Sequence, residues 1–105
     1  MLKIKSLYIE NFKAFKQLNV NFDSNVSVIV GANGTGKTTI LEVIFTMLSG
    51  NIEYFKSFEN FKYIECEIID NEKIDKIRYQ QKENEIEILL NENIVSNDNI
   101  KNKYN

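Results

Sequence analysis

The sequence has no histidine, no proline and a single cysteine, Cys66. One cysteine cannot close an internal disulfide, and without a histidine or second thiol it cannot hold zinc, so Cys66 reads as a small strand residue. No apolar run approaches the length of a membrane span, and the opening Met1-Leu2-Lys3-Ile4-Lys5 is not followed by the apolar stretch of a secretory signal. The expectation is a cytoplasmic location with no membrane partner. Thirteen Lys and Arg against fifteen Asp and Glu leave a net charge of −2, which gives no basic footprint for nucleic acid.

Glycine is also scarce, and its distribution is informative. Of four glycines, three (Gly31, Gly34 and Gly36) fall within the eight residues Gly31-Ala32-Asn33-Gly34-Thr35-Gly36-Lys37-Thr38. This stretch fits the phosphate-loop pattern G-x-x-x-x-G-K-[ST] at every required position. A turn wrapped around a phosphate chain needs residues that accept positive φ and let main-chain N–H groups approach the oxygens, and glycine meets both demands. In such a loop Lys37 reaches the β- and γ-phosphates as a flexible charge, and the Thr38 hydroxyl ligates Mg²⁺. The helix that follows offers its N-terminal dipole to the anion. The expected cofactors are ATP and Mg²⁺, bound by Gly31, Asn33, Gly34, Thr35, Gly36, Lys37, Thr38 and Thr39, with Thr38 as the metal ligand.

The flanking sequence has the required context. Val26-Ser27-Val28-Ile29-Val30 is a short β-branched run, the pattern of a strand covered on both faces. Beyond the loop, Ile40, Leu41, Val43, Ile44, Phe45, Met47 and Leu48 predict a helix apolar around most of its circumference and buried against a sheet, with Gly50 as its C-terminal cap. The bland alternative is a glycine turn that joins a strand to a helix and holds no ligand.

At 105 residues the chain is one domain at most, and 43% hydrophobic with 27% charged residues is ordinary for a globular protein. Leu2 to Glu10 predicts a first strand and Asn11 to Lys16 a bend. Leu18, Val20 and Phe22 then alternate with polar residues as a second strand, antiparallel to the first. Asn51 to Phe61 carries Tyr54, Phe55, Phe58 and Phe61 at a spacing that suits a short helix or packed loop, with the aromatics as core or partner-facing surface in preference to a base-stacking platform. Tyr63 to Ile69, Ile74 to Gln80 and Glu85 to Leu90 predict an antiparallel meander whose last strand has one solvated face and forms an edge. From about residue 92 the asparagine-rich sequence reads as a frayed or disordered tail, which sets a domain over residues 1–91 and a tail over 92–105.

The stretches Leu7-Tyr8-Ile9-Glu10-Asn11-Phe12-Lys13-Ala14-Phe15 and Val28 to Ile44 together resemble the N-terminal lobe of RecF/SMC-like ABC-type ATPases, the AAA family group that includes OLD-type nucleases. In that group an opening strand ends in an Asn-Phe-Lys/Arg element, a second strand follows, and the loop has the form Gly-x-Asn-Gly-x-Gly-Lys-Ser/Thr. The resemblance covers roughly residues 1 to 50 and implies an α/β, P-loop NTPase-like fold. It places Asn33 near the γ-phosphate and Lys13 on a nucleotide phosphate, although Lys13 also reads as an ordinary exposed lysine beside a turn. It further implies a second ATPase lobe or subunit as partner, with DNA as a partner by resemblance alone.

Several of the group's catalytic elements have no counterpart in this sequence. Leu48-Ser49-Gly50 mimics part of a signature motif but lies at the end of the phosphate-loop helix. Ile68-Ile69-Asp70-Asn71-Glu72 is a poor Walker B segment, because Glu65 and Glu67 interrupt the apolar run, and Asp70 reads as the start of a turn. Gln80 and Gln81 sit in or beside the meander, and no histidine exists to act as a switch. The catalytic residues are unknown, and the expectation is an incomplete lobe, truncated or split. Three alternatives stand beside it. One is a non-hydrolysing nucleotide-binding regulatory module. Another is a small-molecule kinase, disfavoured by two strands ahead of the loop and by Arg78 as the only arginine. The last is an ABC transporter ATPase fragment.

Overall fold

The structure, a computed structural model, describes residues 2–12, 15–22, 34–57 and 61–104, with the main chain alone at residues 15 and 34–39. The expected strand at 26–30, the start of the phosphate loop at 31–33, Lys13 and Phe58 lie outside the described residues.

The elements in chain order are β1 (Leu2–Phe12), β2 (Phe15–Asn21), α1 (Gly34–Leu48), α2 (Ile52–Lys56), β3 (Tyr63–Asp70), β4 (Lys73–Lys82), β5 (Glu85–Leu90), β6 (Asn93–Val95) and α3 (Asn97–Tyr104). The strands form one sheet in the order β2-β1-β3-β4-β5-β6, antiparallel at every junction. The expected strand pair β1–β2 and the meander β3–β4–β5 are present.

Side-chain alternation gives the sheet a dry face and a wet face. Register brings Val20, Leu7, Cys66 and Ile77 into one row and Leu18, Ile9, Ile64, Tyr79 and Ile88 into the next. These residues join one core with Ile40, Val43, Ile44 and Met47 of α1 and Phe55 of α2. Burial, with a lesser contribution from the Glu67 and Glu65 carboxylates, pushes the Cys66 thiol up to about 12, as suits a buried strand residue. The wet face carries polar cross-strand pairs, including Ser6 donating to Glu67 at 2.8 Å and Gln80 donating to Glu87 at 2.8 Å.

The helix expected to be buried against a sheet buries one stripe, Ile40, Val43, Ile44 and Met47, while Leu41 is 52% and Phe45 78% exposed. A helix on one face of a sheet presents only one side to it, and the spacing 40, 43, 44, 47 is that side. The expected tail from residue 92 instead forms β6 and α3, so β5 is not the edge strand. Asn91 and Glu92 adopt φ of 51° and 72°, the two positive angles of a type I′ turn, and this folds β6 back onto β5. Ser96 then caps α3 reciprocally: its Oγ accepts from the Asn99 N–H at 3.1 Å, and Asn99 Oδ1 accepts from the Ser96 N–H at 3.0 Å. Ile100 is fully buried.

Gly50 joins α3 to α1. It has φ +70°, its N–H donates to the Met47 carbonyl at 3.3 Å and the Asn51 N–H donates to the Thr46 carbonyl at 3.3 Å, the two bonds of a Schellman cap. A Cβ at Gly50 would lie 2.3 Å from the main-chain oxygen of Asn97, so α3 starts directly against this glycine. The other end of α3 is held by Asp75, whose carboxylate accepts from the Tyr104 hydroxyl at 2.8 Å and the Asn91 side-chain amide at 3.0 Å, with the Lys103 ammonium 3.7 Å away. Burial alone would raise the Asp75 pKa. The hydrogen bonds from Asn91 and Tyr104 and the charge of Lys103 outweigh it and hold the carboxyl below its ordinary range.

Three outcomes are expected. Gly50→Ala meets both a left-handed backbone and the Asn97 oxygen and lowers unfolding free energy by roughly 2 kcal/mol or more, measured by urea denaturation. Glu72→Gly, at φ +71° in the Asn71-Glu72 turn, raises the urea midpoint by about 1 kcal/mol equivalent, because glycine suits the second position of a type I′ turn. Because the folded pKa of Asp75 lies below its unfolded value of about 4, its contribution is present above that value and fades as pH falls through the folded pKa. Near-ultraviolet dichroism of the chain is expected to lose signal in that acid range, and Asp75→Asn to flatten the dependence.

Candidate phosphate-binding site

α1 begins at Gly34, inside the glycine-rich motif and well ahead of the apolar pattern that predicts the helix. Gly34, Thr35, Gly36, Lys37, Thr38 and Thr39 therefore occupy its first two turns, and Gly31, Asn33 and Lys13 lie outside the described residues. The first four N–H groups of a helix have no acceptor within it. Among the described residues those are the amides of Gly34, Thr35 and Gly36, and α1 has no acidic residue in its first turn to compete for them. The helix start offers main-chain amides at a positive end, and the sequence there holds a lysine at 37 and threonines at 38 and 39, a composition that suits a polyphosphate with its divalent cation.

The opposite end of α1 is fixed more firmly than the sequence suggested. The buried Tyr79 hydroxyl of β4 donates to the Met47 carbonyl at 2.8 Å, so this carbonyl accepts from both Tyr79 and Gly50. Burial raises the Tyr79 pKa far above the ordinary phenol value, which keeps the hydroxyl protonated as a donor. Around it Phe55 stacks 4.8 Å from Tyr79 and 5.8 Å from Phe12, and Phe61 lies 5.4 Å from Phe55. Phe55 and Phe61 are core, one of the two outcomes expected for the aromatic run, with Tyr54 packed against them. Tyr54 sits beside Glu42 of α1, and burial first, then that carboxylate, raises its pKa. A signal for Tyr79 was available, since a hydroxyl on the apolar side of a strand, in register with Ile64 and Ile88, needs a buried acceptor.

The residues set aside as catalytic mimics lie where the alternation placed them. Ser49 and Gly50 end α1, Asp70 ends β3 before the Asn71-Glu72 turn, and Gln80 and Gln81 lie within β4. Among the described residues no group of three or more His, Cys, Asp or Glu side chains could hold a metal ion. Among the described residues, no helix is long and apolar enough to cross a membrane.

Comparison with known proteins identifies relatives among ATPases and repair proteins. The DNA double-strand break repair Rad50 ATPase of Methanosarcina mazei is 44% identical over 57 residues, 54% of this chain and 5% of that protein. The DNA replication and repair protein RecF of Clostridioides difficile is 41% identical over 61 residues, 58% of this chain and 15% of that protein. The Septu protein PtuA of Bacillus thuringiensis is 40% identical over 81 residues, 76% of this chain and 20% of that protein. The chain thus spans a small part of the length of these relatives, and no solved structure gives a significant match. The family profile described as AAA domain matches residues 6–105, so the chain belongs to the AAA domain family, as an N-terminal lobe of the RecF/SMC-like ATPases.

Proposed function

We propose that this chain is the ATP-binding lobe of an ATPase acting in DNA maintenance or phage defence, and that it needs a second lobe or subunit to complete its site. The observation that carries the reading is the coincidence of the motif Gly31 to Thr38 with the start of α1 at Gly34. The helix start supplies free amides and a positive dipole end at the position where the motif supplies Lys37 and Thr38. In this reading the amides and Lys37 hold the β- and γ-phosphates, and the Thr38 hydroxyl holds Mg²⁺, which neutralises phosphate charge when bound. Asn33 and Lys13 complete the contacts proposed from the family.

The incomplete lobe has its own support. Leu41 and Phe45, four residues apart on α1, form an exposed apolar stripe, and the relatives extend far beyond the length matched here. A polypeptide segment laid over that stripe would bury it and is the natural source of the missing hydrolytic residues. A non-hydrolysing nucleotide-binding module remains the second reading. It is favoured by the positions of Asp70, Gln80 and Gln81 in and at the end of antiparallel strands, away from the start of α1 in sequence, and by the lack of any histidine. ATP turnover by the chain alone would count against that second reading.

Lys37→Ala removes a charge contact from the phosphates without touching the described core. It is expected to weaken Mg-ATP binding roughly tenfold to a hundredfold with the thermal midpoint unchanged, read by calorimetric titration and a melting curve. Equal affinity in variant and parent would reject the site.

A further inference from the structure

The far end of the sheet from β2 is not finished. The two-residue turns Glu83-Asn84 and Asn91-Glu92 close their hairpins at the pairs Lys82↔Glu85 and Leu90↔Asn93. Closing pairs of such hairpins exchange main-chain hydrogen bonds. Glu85, Glu87 and Leu89 therefore turn their N–H and C=O groups toward β4, in phase with the Asn91 N–H that donates to the Lys76 carbonyl at 2.9 Å. Ile86, Ile88 and Leu90 turn theirs to the other side. Strand β6 takes up Leu90 and Ile88, but it ends at Val95 opposite Ile88 and the chain leaves as α3. The N–H and C=O of Ile86 are left facing an edge with no strand beside them among the described residues.

An open groove of about 630 Å³ lies at this point, between Ile52 of α2, the β4–β5 turn and the end of β6. Its two sides differ in chemistry. On the dry side are Ile52, Ile86, Ile88 and Val95. On the wet side β5 carries Glu85 and Glu87, with Glu83 in the adjoining turn. Lys82 pairs with Glu87 at 3.6 Å, whereas Glu83 and Glu85 are exposed and have no cationic partner among the described residues. A strand laid along Ile86 alternates sides as β5 does, so its inward residue meets isoleucines and its two neighbours meet carboxylates.

We propose that this notch captures an extended segment of a partner protein in which one small aliphatic residue is flanked by Lys or Arg, added to the sheet edge at Ile86. The main-chain pair gives register, the groove selects the aliphatic side chain, and Glu83 and Glu85 select the charge. The inference is independent of nucleotide binding, and its failure leaves the phosphate site untouched.

The test uses the full chain and a fluorescein-labelled capped peptide Thr-Arg-Val-Arg-Thr. Three comparison peptides accompany it: one scrambled so that the two arginines adjoin, one with glutamates for arginines, and one N-methylated at the central valine. Expected are saturable binding of the first peptide at low salt, slowed hydrogen exchange at the Ile86 amide, and at least fivefold weaker binding by the N-methylated and scrambled peptides. Glu85→Gln, at an exposed position outside the core, is expected to weaken binding at least twofold with unchanged thermal midpoint. No binding would overturn the proposal. So would binding that leaves the Ile86 amide unaffected, equal binding by the N-methylated peptide, or equal binding by the glutamate peptide.

Discussion

The hydrogen bond from the Tyr79 hydroxyl to the Met47 carbonyl sets the geometry on which the other elements depend. The last carbonyls of a helix lack partners within it, and inside a core each unpaired one costs roughly 1–3 kcal/mol. Here a strand side chain supplies the donor at 2.8 Å, and the Gly50 N–H supplies another to the same oxygen. The helix that carries the phosphate motif is thereby fixed axially to β4, a strand distant in sequence. Leu7, Ile64 and Ile77 on the sheet and Val43 on the helix close the dry space between them. Gly50 then brings α3 against the same helix end, and Asp75 ties the far end of α3 back to β4. The end of α1 opposite the motif is thus clamped by two elements, β4 and α3.

The order along the chain follows from this arrangement. The motif-bearing end of α1 is the end opposite the clamp, while the polar face of the sheet is stitched by pairs such as Glu65 with Arg78. Burial of Tyr63 and its bond to Glu65 push its phenol up to about 12.

Much of this was legible in the residues. Alternation in Ile86 and Ile88 against Glu85 and Glu87, and the apolar runs of β1 and β3, located the strands, because a period of two belongs to an extended chain with one covered face. The glycine cluster marked the candidate phosphate motif, and α1 starts inside that motif at Gly34. Legibility failed where structure rests on asparagine. Asn71 was legible as a link between two meander strands, but Asn91 read by composition as the approach to a disordered tail. Yet asparagine tolerates positive φ, and at Asn91 it opens a tight turn. The Ser96 to Asn99 cap was equally hidden, since it uses asparagine where glutamate is the familiar sign. The exposure of Leu41 and Phe45 could not be read from periodicity, which gives a helix its apolar positions without saying how many surfaces cover it.

Arg78 has a consequence for catalysis. The sequence holds no second guanidinium, and this one bonds to Glu65 at 3.1 Å and Glu92 at 2.9 Å and lies 5.4 Å from the Tyr63 ring, fastening β3 and the β5–β6 turn to β4. A planar, fork-shaped cation that could be offered to a transferring phosphoryl group is therefore already committed to holding strands together. Any arginine finger serving the nucleotide site proposed above must come from a different stretch of polypeptide.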